Sequence, residues 1–183
     1  MATPSHGDLV KQHYSTVWSA VGQEFRWKKG PAHELPEDFR ILRFKRSDTW
    51  AFATCGMSQP GDHAGLELHV LTADETASDE LVELLTVVAH FHRTAAEVGL
   101  GHTVNFGRPW LDDSHCTYGL ISLPYLDGPD LEWMTRPKIR FLWLVPVTPE
   151  EVEFKKKFGL EALEQRFEER QFNYLEPHRP SVV

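Results

Sequence analysis

The sequence predicts an α+β domain built on a mixed, largely antiparallel sheet that is packed by helices. Three observations predict it. Three strand-like segments follow one another closely, a long amphipathic helix separates them from three more, and an apolar run near residue 141 leads into two short helices. The 183 residues fit a single domain spanning 1–183, and six tryptophans with eleven phenylalanines supply a sizeable core.

The first elements are a helix and three strands. Apolar residues recur at helical spacing over residues 8–21 and stop at Gly22. The predicted strands are Phe39–Phe44, Trp50–Cys55 and Leu66–Leu71. Connections this short favour antiparallel pairing, because a parallel crossover needs roughly a dozen residues or more.

The longest predicted helix is Ser78–Val98. Ser78 suits the N-cap, and the two acidic residues that follow it suit the positive end of the helix dipole. Its apolar stripe is wide, so we expect the helix to be covered on more than one side. Gly99 followed by Leu100 fits a left-handed C-terminal cap.

Three strands and two helices complete the prediction. The strands are Thr103–Phe106, Thr117–Leu123 and Ile139–Val145, and the last is apolar on both faces, as in a central strand that is covered on both sides. Thr148 and Glu151 then form a capping-box pattern. Helices are expected at 149–158 and 160–170, followed by a frayed, flexible tail at 173–183.

Charge narrows the classes of partner. The chain has 19 basic and 27 acidic residues, a net charge of −8, which argues against nucleic acid or an anionic membrane as partner. Residues 60–134 hold thirteen acidic residues and two arginines, a net charge of −11. These acids either lie in solvated loops and on a solvated helix face, or they form a docking surface for a basic protein.

The cysteine content and the N-terminus indicate a compartment. There is no secretory signal pattern and no apolar run that approaches the length of a membrane span. Cys55 and Cys116 are therefore expected to be free, buried thiols in a reducing, cytoplasmic environment.

An ordered series of motifs resembles the suppressor-of-fused-like domain family over about residues 38–170. The pieces are Thr54–Ser58, Glu67–Val70, Gly101–Val104, Phe141–Glu151, Phe154–Lys155 and Gly159–Leu163. The resemblance implies the α+β fold of that family and a role in protein binding. The animal member that names the family regulates a transcription factor by binding it, and bacterial members include immunity proteins of toxin systems. The resemblance implies no catalytic residues.

Two loops carry aromatic residues beside acids, which is the composition of interface hot spots. The first is 107–114 and the second is 124–137. The candidate partner-binding residues are Trp110, Asp112, Asp113, Tyr125, Asp127, Asp130, Glu132 and Trp133. The alternative is that the loops fold back, so that both tryptophans pack in the core and the acids serve turns.

Metal and thiol chemistry remain as alternatives. No histidine pair has metal-ligand spacing, although His69, His102, His115 and the two cysteines could converge into a tetrahedral zinc site. A cysteine beside a histidine could act as a nucleophile. No phosphate-binding loop is present, and we expect no cofactor, no metal and no catalytic residue.

The leading hypothesis is a non-enzymatic protein-binding domain of immunity type, which neutralises a cognate, basic toxin domain by occlusion. Two alternatives stay open. The first is a thiol-dependent hydrolase that uses a Cys/His pair, and the second is a regulatory scaffold for a protein of the host cell.

Overall fold

A computed structural model describes residues 3–183 and confirms the α+β class. The sheet has eight strands, which are β1 (Gln23–Phe25), β2 (Arg40–Arg46), β3 (Thr49–Cys55), β4 (Gly65–Thr72), β5 (Thr103–Asn105), β6 (Tyr118–Ser122), β7 (Trp133–Met134) and β8 (Ile139–Val147). Their order in the sheet is β1-β2-β3-β4-β8-β6-β5, and β7 pairs with β8 beside this path.

Helices cover both faces of the sheet. They are α1 (His6–Trp18), α2 (Ser78–Thr94), α3 (Pro129–Glu132), α4 (Pro149–Phe158) and α5 (Leu160–Glu169), and a short 3-10 helix spans Gly30–Glu34. Apolar residues of α2 form one core with one face of the sheet. Apolar residues of α1, α4 and α5 form a second core with the opposite face. The sheet is therefore the middle layer of the molecule.

Strand β8 is central and covered on both sides, as its sequence predicts. Leu142 and Leu144 pack in the core below α2. Phe141, Trp143 and Val145 pack in the core below α1, α4 and α5. The strand pairs antiparallel with β6 and parallel with β4, whereas β2, β3 and β4 form the predicted antiparallel series. This parallel pairing makes the sheet mixed.

The ends of α2 differ from the prediction. Ser78 is its first residue, and the N-cap is Ala77, which has no side chain to cap with. The Ser78 hydroxyl instead accepts a hydrogen bond from the Arg43 guanidinium. The helix ends at Thr94, before Gly99, and the backbone N–H of Val98 donates to the His92 ring rather than to a helix carbonyl.

The C-terminal segment is packed, and the prediction of a frayed tail at 173–183 is wrong. Arg179 is only 3% exposed, and its two terminal nitrogens lie 2.7 and 2.8 Å from the two carboxylate oxygens of Glu151. Arg179 also donates to the Pro146 carbonyl, and the Val182 N–H donates to Glu151. Glu151 and Thr148 form the predicted capping box, so the tail is attached to the start of α4.

Candidate partner-binding site

A surface cavity of about 520 Å³ opens between the sheet face of β6 and β8, helix α5 and the segment that follows α5. Its aromatic lining consists of Tyr125, Trp143, Phe167, Phe172 and Tyr174. Its acidic lining consists of Glu161, Glu164 and Glu168. We call this cavity the aromatic–acidic pocket. None of the described residues that line it is basic.

The aromatic wall is built by tertiary contacts. The rings of Phe167 and Phe172 stack with their centroids 4.2 Å apart. Trp143 and Tyr174 meet edge to face with their centroids 5.1 Å apart. Arg179 lies over Phe172, with its guanidinium carbon 5.2 Å from the ring centroid, so the packed tail supports this wall. The pocket therefore depends on the segment that the sequence predicts to be frayed.

The acidic wall is one face of α5. The three glutamates have the spacing i, i+3 and i+7, which brings side chains to the same side of a helix. None of them forms an ion pair within residues 3–183. Glu164 is held in place, because its Oε1 accepts hydrogen bonds from Ser122 Oγ at 3.3 Å and from the Tyr125 hydroxyl at 3.1 Å.

Tyr125 lies at the rim of the pocket and is 58% exposed. Partial burial and the neighbouring Glu164 carboxylate raise the pKa of Tyr125, so its hydroxyl keeps the proton that it donates. Leu126 beside it is 50% exposed. Among the sequence-predicted site residues, only Tyr125 lines this pocket.

A buried indole completes the pocket. Trp143 is 5% exposed, and its Nε1 has no hydrogen-bond partner among the residues that the structure describes. A buried N–H without an acceptor costs free energy, and the side chain that carries this one lines the pocket.

Trp110 is buried, and the expectation that it anchors a partner is wrong. It is 1% exposed and packs in the core below α2. Two local hydrogen bonds hold the loop in its folded-back conformation. The backbone N–H of Trp110 donates to the Cys116 carbonyl, and the backbone N–H of Cys116 donates to the Ser114 hydroxyl. Asp112 and Asp113 remain exposed at the outside of this loop.

The Asp127 side chain is buried in contacts within the chain and does not form part of an exposed surface. Its side chain is 6% exposed, and its Oδ1 lies 2.5 Å from an Arg46 nitrogen and 3.1 Å from Trp18 Nε1. The predicted role of Asp127 on a docking surface is therefore wrong, because the carboxylate is buried, its charge is balanced by Arg46 and it accepts a hydrogen bond from the Trp18 indole.

Three further predicted residues lie around the short helix α3. Glu132 pairs with Arg140 at 2.8 Å, and the Arg140 guanidinium carbon lies 4.9 Å from the centroid of the Trp133 ring. Trp133 is 44% exposed, and Asp130 is exposed. The neighbouring Leu131 packs in the core below α1, on the opposite face of the sheet from Trp110. The two predicted loops therefore do not form one continuous surface.

The acidic segment 60–134 is partly neutralised by ion pairs with arginines of several elements. The pairs are Asp62–Arg93, Glu83–Arg108, Asp127–Arg46 and Glu132–Arg140. Glu67 of the same segment is buried in the interior. The three unpaired glutamates of the aromatic–acidic pocket instead belong to α5, outside the predicted segment.

Glu67 lies at the centre of a buried polar network that joins two of the motifs. Its Oε1 accepts from the N–H of Gly56 at 3.1 Å and from the N–H and hydroxyl of Ser58 at 3.0 and 2.6 Å. Its Oε2 accepts from the Thr54 hydroxyl at 2.5 Å. Burial raises the pKa of Glu67 despite these donors. The network holds the segment that follows β3, which contains Gly56 and Ser58, against Glu67 of β4.

Ser58 and His6 also meet in this network, with His6 Nε2 2.9 Å from Ser58 Oγ. Ser58 is completely buried and donates its hydroxyl proton to Glu67. His6 is therefore positioned to donate to the serine oxygen rather than to remove its proton. This geometry differs from that of a nucleophile with its base.

Both cysteines are free and buried. Burial is the largest cause that raises the pKa of Cys55 to about 12, and burial also raises the pKa of Cys116. Cys55 donates to the Gly7 carbonyl, and within residues 3–183 neither sulfur has a hydrogen bond to a histidine. Raised thiol pKa values disfavour the thiolate that nucleophilic chemistry needs.

The three histidines of the predicted zinc site differ in solvent exposure. His69 is buried, which lowers its pKa to about 3, whereas His102 and His115 are exposed. Between residues 3 and 183, no group of three or more potential metal ligands is gathered. No helix in the same range is long and apolar enough to cross a membrane.

The family model of the Suppressor of fused protein (SUFU) matches residues 36–180. The chain belongs to the SUFU family. A crystal structure of a SUFU homologue from Neisseria gonorrhoeae FA 1090 matches with a TM-score of 0.85 and 32% identity, and the match covers 97% of each chain. The motifs that join Glu67 to Thr54 and Ser58 thus belong to a SUFU fold.

Two more distant structures share the fold. A chain of the Sufu–Fu complex matches with a TM-score of 0.72 and 14% identity, covering 99% of this chain and 93% of that one. Suppressor of Fused from Drosophila matches with a TM-score of 0.61 and 12% identity, covering 94% of this chain and 50% of that one. Among proteins with curated functions, none matches the sequence.

Sequence reasoning missed most of the pocket. Glu161, Glu164 and Glu168 carry a visible signal, their helical spacing, but the surface that α5 faces depends on how the helix docks. Trp143 lies in an apolar run that predicts a core strand, and it is indeed buried. Its unpaired N–H is visible only in three dimensions.

Proposed function

We propose that this SUFU-family chain is a non-enzymatic protein-binding domain that holds a basic protein at the aromatic–acidic pocket. The observation that carries the proposal is the pocket itself, in which three glutamates without a basic partner in residues 3–183 face aromatic side chains. Aromatic anchors beside charged groups are typical of interface hot spots. Unpaired carboxylates favour a partner that brings lysine or arginine.

Family membership supports the general role. SUFU is a protein-binding regulator in eukaryotes, and the Sufu chain of the Sufu–Fu complex was solved as part of a protein assembly. We infer that the partner of this chain is a toxin domain and that binding occludes the toxin's active surface, as in an immunity protein. A regulatory scaffold is the second candidate, because the Sufu–Fu complex is a protein assembly.

The thiols and the charge support the remaining parts of the proposal. The raised pKa values of Cys55 and Cys116 disfavour thiol catalysis, and two free thiols fit the reducing cytoplasm. The net charge of −8 fits a basic protein partner better than nucleic acid or an anionic membrane.

Co-expression with the protein encoded beside this chain tests the role. If that protein is toxic, the wild-type chain is expected to restore growth, whereas a chain with Glu161→Gln, Glu164→Gln and Glu168→Gln should bind it at least about tenfold more weakly and restore growth poorly. The matched control replaces Glu75, Glu80 and Glu97, three exposed glutamates outside the pocket, by glutamine.

Three outcomes separate the candidates. Rescue by the wild type and the control but not by the pocket variant supports an immunity role. Specific binding without rescue of growth supports the scaffold role. Equal binding by the wild type and the pocket variant contradicts the proposed site.

A further inference from the structure

We infer that the aromatic–acidic pocket recognises one arginine residue of the partner. This inference rests on the proposed function, and it names the group that occupies the site. Three features carry it: the charge of the pocket, its aromatic walls and its one unpaired buried donor.

The charge of the pocket calls for a cation. Glu161, Glu164 and Glu168 line one wall, and none of the lining residues in the described range 3–183 is basic. Glu164 has one oxygen engaged by Ser122 and Tyr125, and its Oε2 accepts nothing from residues 3–183. An incoming cation therefore meets an oriented carboxylate with a vacant oxygen, and it displaces no existing ion pair in the described chain.

The aromatic walls favour a guanidinium over an ammonium. A guanidinium is planar and weakly hydrated, so it stacks on aromatic faces while its edge donates to carboxylates. The chain already uses this packing, since Arg179 lies over Phe172 from the tail segment. Phe172 also lines the pocket together with Tyr174, which offers an incoming guanidinium a second aromatic surface. An ammonium has no flat face to stack and is more strongly hydrated.

The unpaired donor favours an arginine residue within a peptide chain over a free small cation. Trp143 Nε1 is buried and has no acceptor in residues 3–183. A cation has no lone pair to offer it. A peptide backbone beside an arginine side chain has a carbonyl oxygen. One residue can therefore supply the donors for the glutamates and, once neighbouring side chains shift to uncover the buried N–H, the acceptor for Trp143. The cavity of about 520 Å³ has room for a side chain with its backbone.

Titration with N-acetyl-arginine N-methylamide, followed by NMR, tests the inference on the isolated full chain. The matched probe is the citrulline compound, which has nearly the same shape and the same backbone carbonyls, but a neutral urea group in place of the charged guanidinium. We expect the arginine compound to bind at least about tenfold more tightly than the citrulline compound and than the lysine compound. The triple glutamine variant of α5 should lose this preference, and the Glu75, Glu80 and Glu97 control should keep it.

A second variant tests the donor. Trp143→Phe keeps an aromatic ring in the core and removes the N–H, so we expect arginine affinity to fall about threefold to tenfold with the preference over citrulline retained. Equal affinity for arginine and citrulline, equal affinity for arginine and lysine, or no binding of the arginine compound up to ~50 mM would overturn the inference. The titration uses no partner protein, so its failure would overturn only arginine recognition, and the co-expression experiment would still test protein binding. Failure of the co-expression experiment would likewise leave the result of the titration valid.

Discussion

Replacing Arg179 by alanine is expected to lower the free energy of unfolding by about 3–5 kcal/mol, because it leaves the buried Glu151 carboxylate without its cation. Glu151 is 0% exposed and Arg179 is 3% exposed, so water cannot replace the lost guanidinium without opening the structure. The substitution also removes the hydrogen bond to the Pro146 carbonyl. Urea denaturation followed by tryptophan fluorescence measures the change.

The control for this prediction is Arg170→Ala, which removes the same side chain from an exposed position at the end of α5. It should change the free energy of unfolding by less than about 0.5 kcal/mol. Because Arg179 supports Phe172, the Arg179 variant should also bind arginine compounds more weakly than the control does. An Arg179 variant as stable as the Arg170 variant would mean that the tail is frayed in solution.

Replacing Glu67 by leucine is expected to cost about 2–6 kcal/mol, because it leaves the N–H groups of Gly56 and Ser58 buried without an acceptor, at about 1–3 kcal/mol each. The hydroxyl of Thr54 can turn toward the Leu68 carbonyl, which lies 3.3 Å away, so its loss counts less. Glu67→Gln keeps one carbonyl oxygen for the two N–H groups and should cost less than about 2 kcal/mol. Equal stability of the leucine and glutamine variants would contradict the network.

The same network predicts a pH dependence. Burial raises the pKa of Glu67 in the folded state, so the folded chain holds this proton more tightly than the unfolded chain does. Ionisation of Glu67 therefore lowers stability as the pH rises from the ordinary carboxyl range through the folded-state pKa.

The Glu67→Gln variant isolates this effect. The free energy of unfolding of the wild type minus that of the variant should fall as the pH rises from about 4, and it should level off above the folded-state pKa. Because both proteins keep His69 and every other titratable group, the difference reports Glu67 alone. A difference that rises over this range would mean that the four hydrogen bonds outweigh burial and lower the pKa.

Local patterns predicted most elements of the fold. Alternation gave the strand over residues 66–71, which spans Gly65–Thr72 in the structure, and a doubly apolar run gave the central strand β8. The Thr148 and Glu151 capping box holds because both of its hydrogen bonds are local. Features fixed by a few neighbouring residues can be predicted in this way.

Long-range contacts could not be predicted from the same patterns. The parallel pairing of β4 with β8 joins strands about seventy residues apart. The sequence predicts a frayed tail because the contact that holds the tail, between Arg179 and Glu151, joins residues 28 positions apart and leaves no local pattern. Trp110 and Trp133 have similar loop contexts, yet one is buried and the other is 44% exposed, because their loops pack on different cores.

The most direct test of the proposed site is the indole N–H signal of Trp143 during an NMR titration with N-acetyl-arginine N-methylamide, assigned with the Trp143→Phe variant. The account predicts that this signal moves most among the six tryptophan indoles, while that of Trp110, buried in the other core, stays in place. A titration in which the Trp143 signal stays fixed while Trp133 or Trp110 moves would contradict the account.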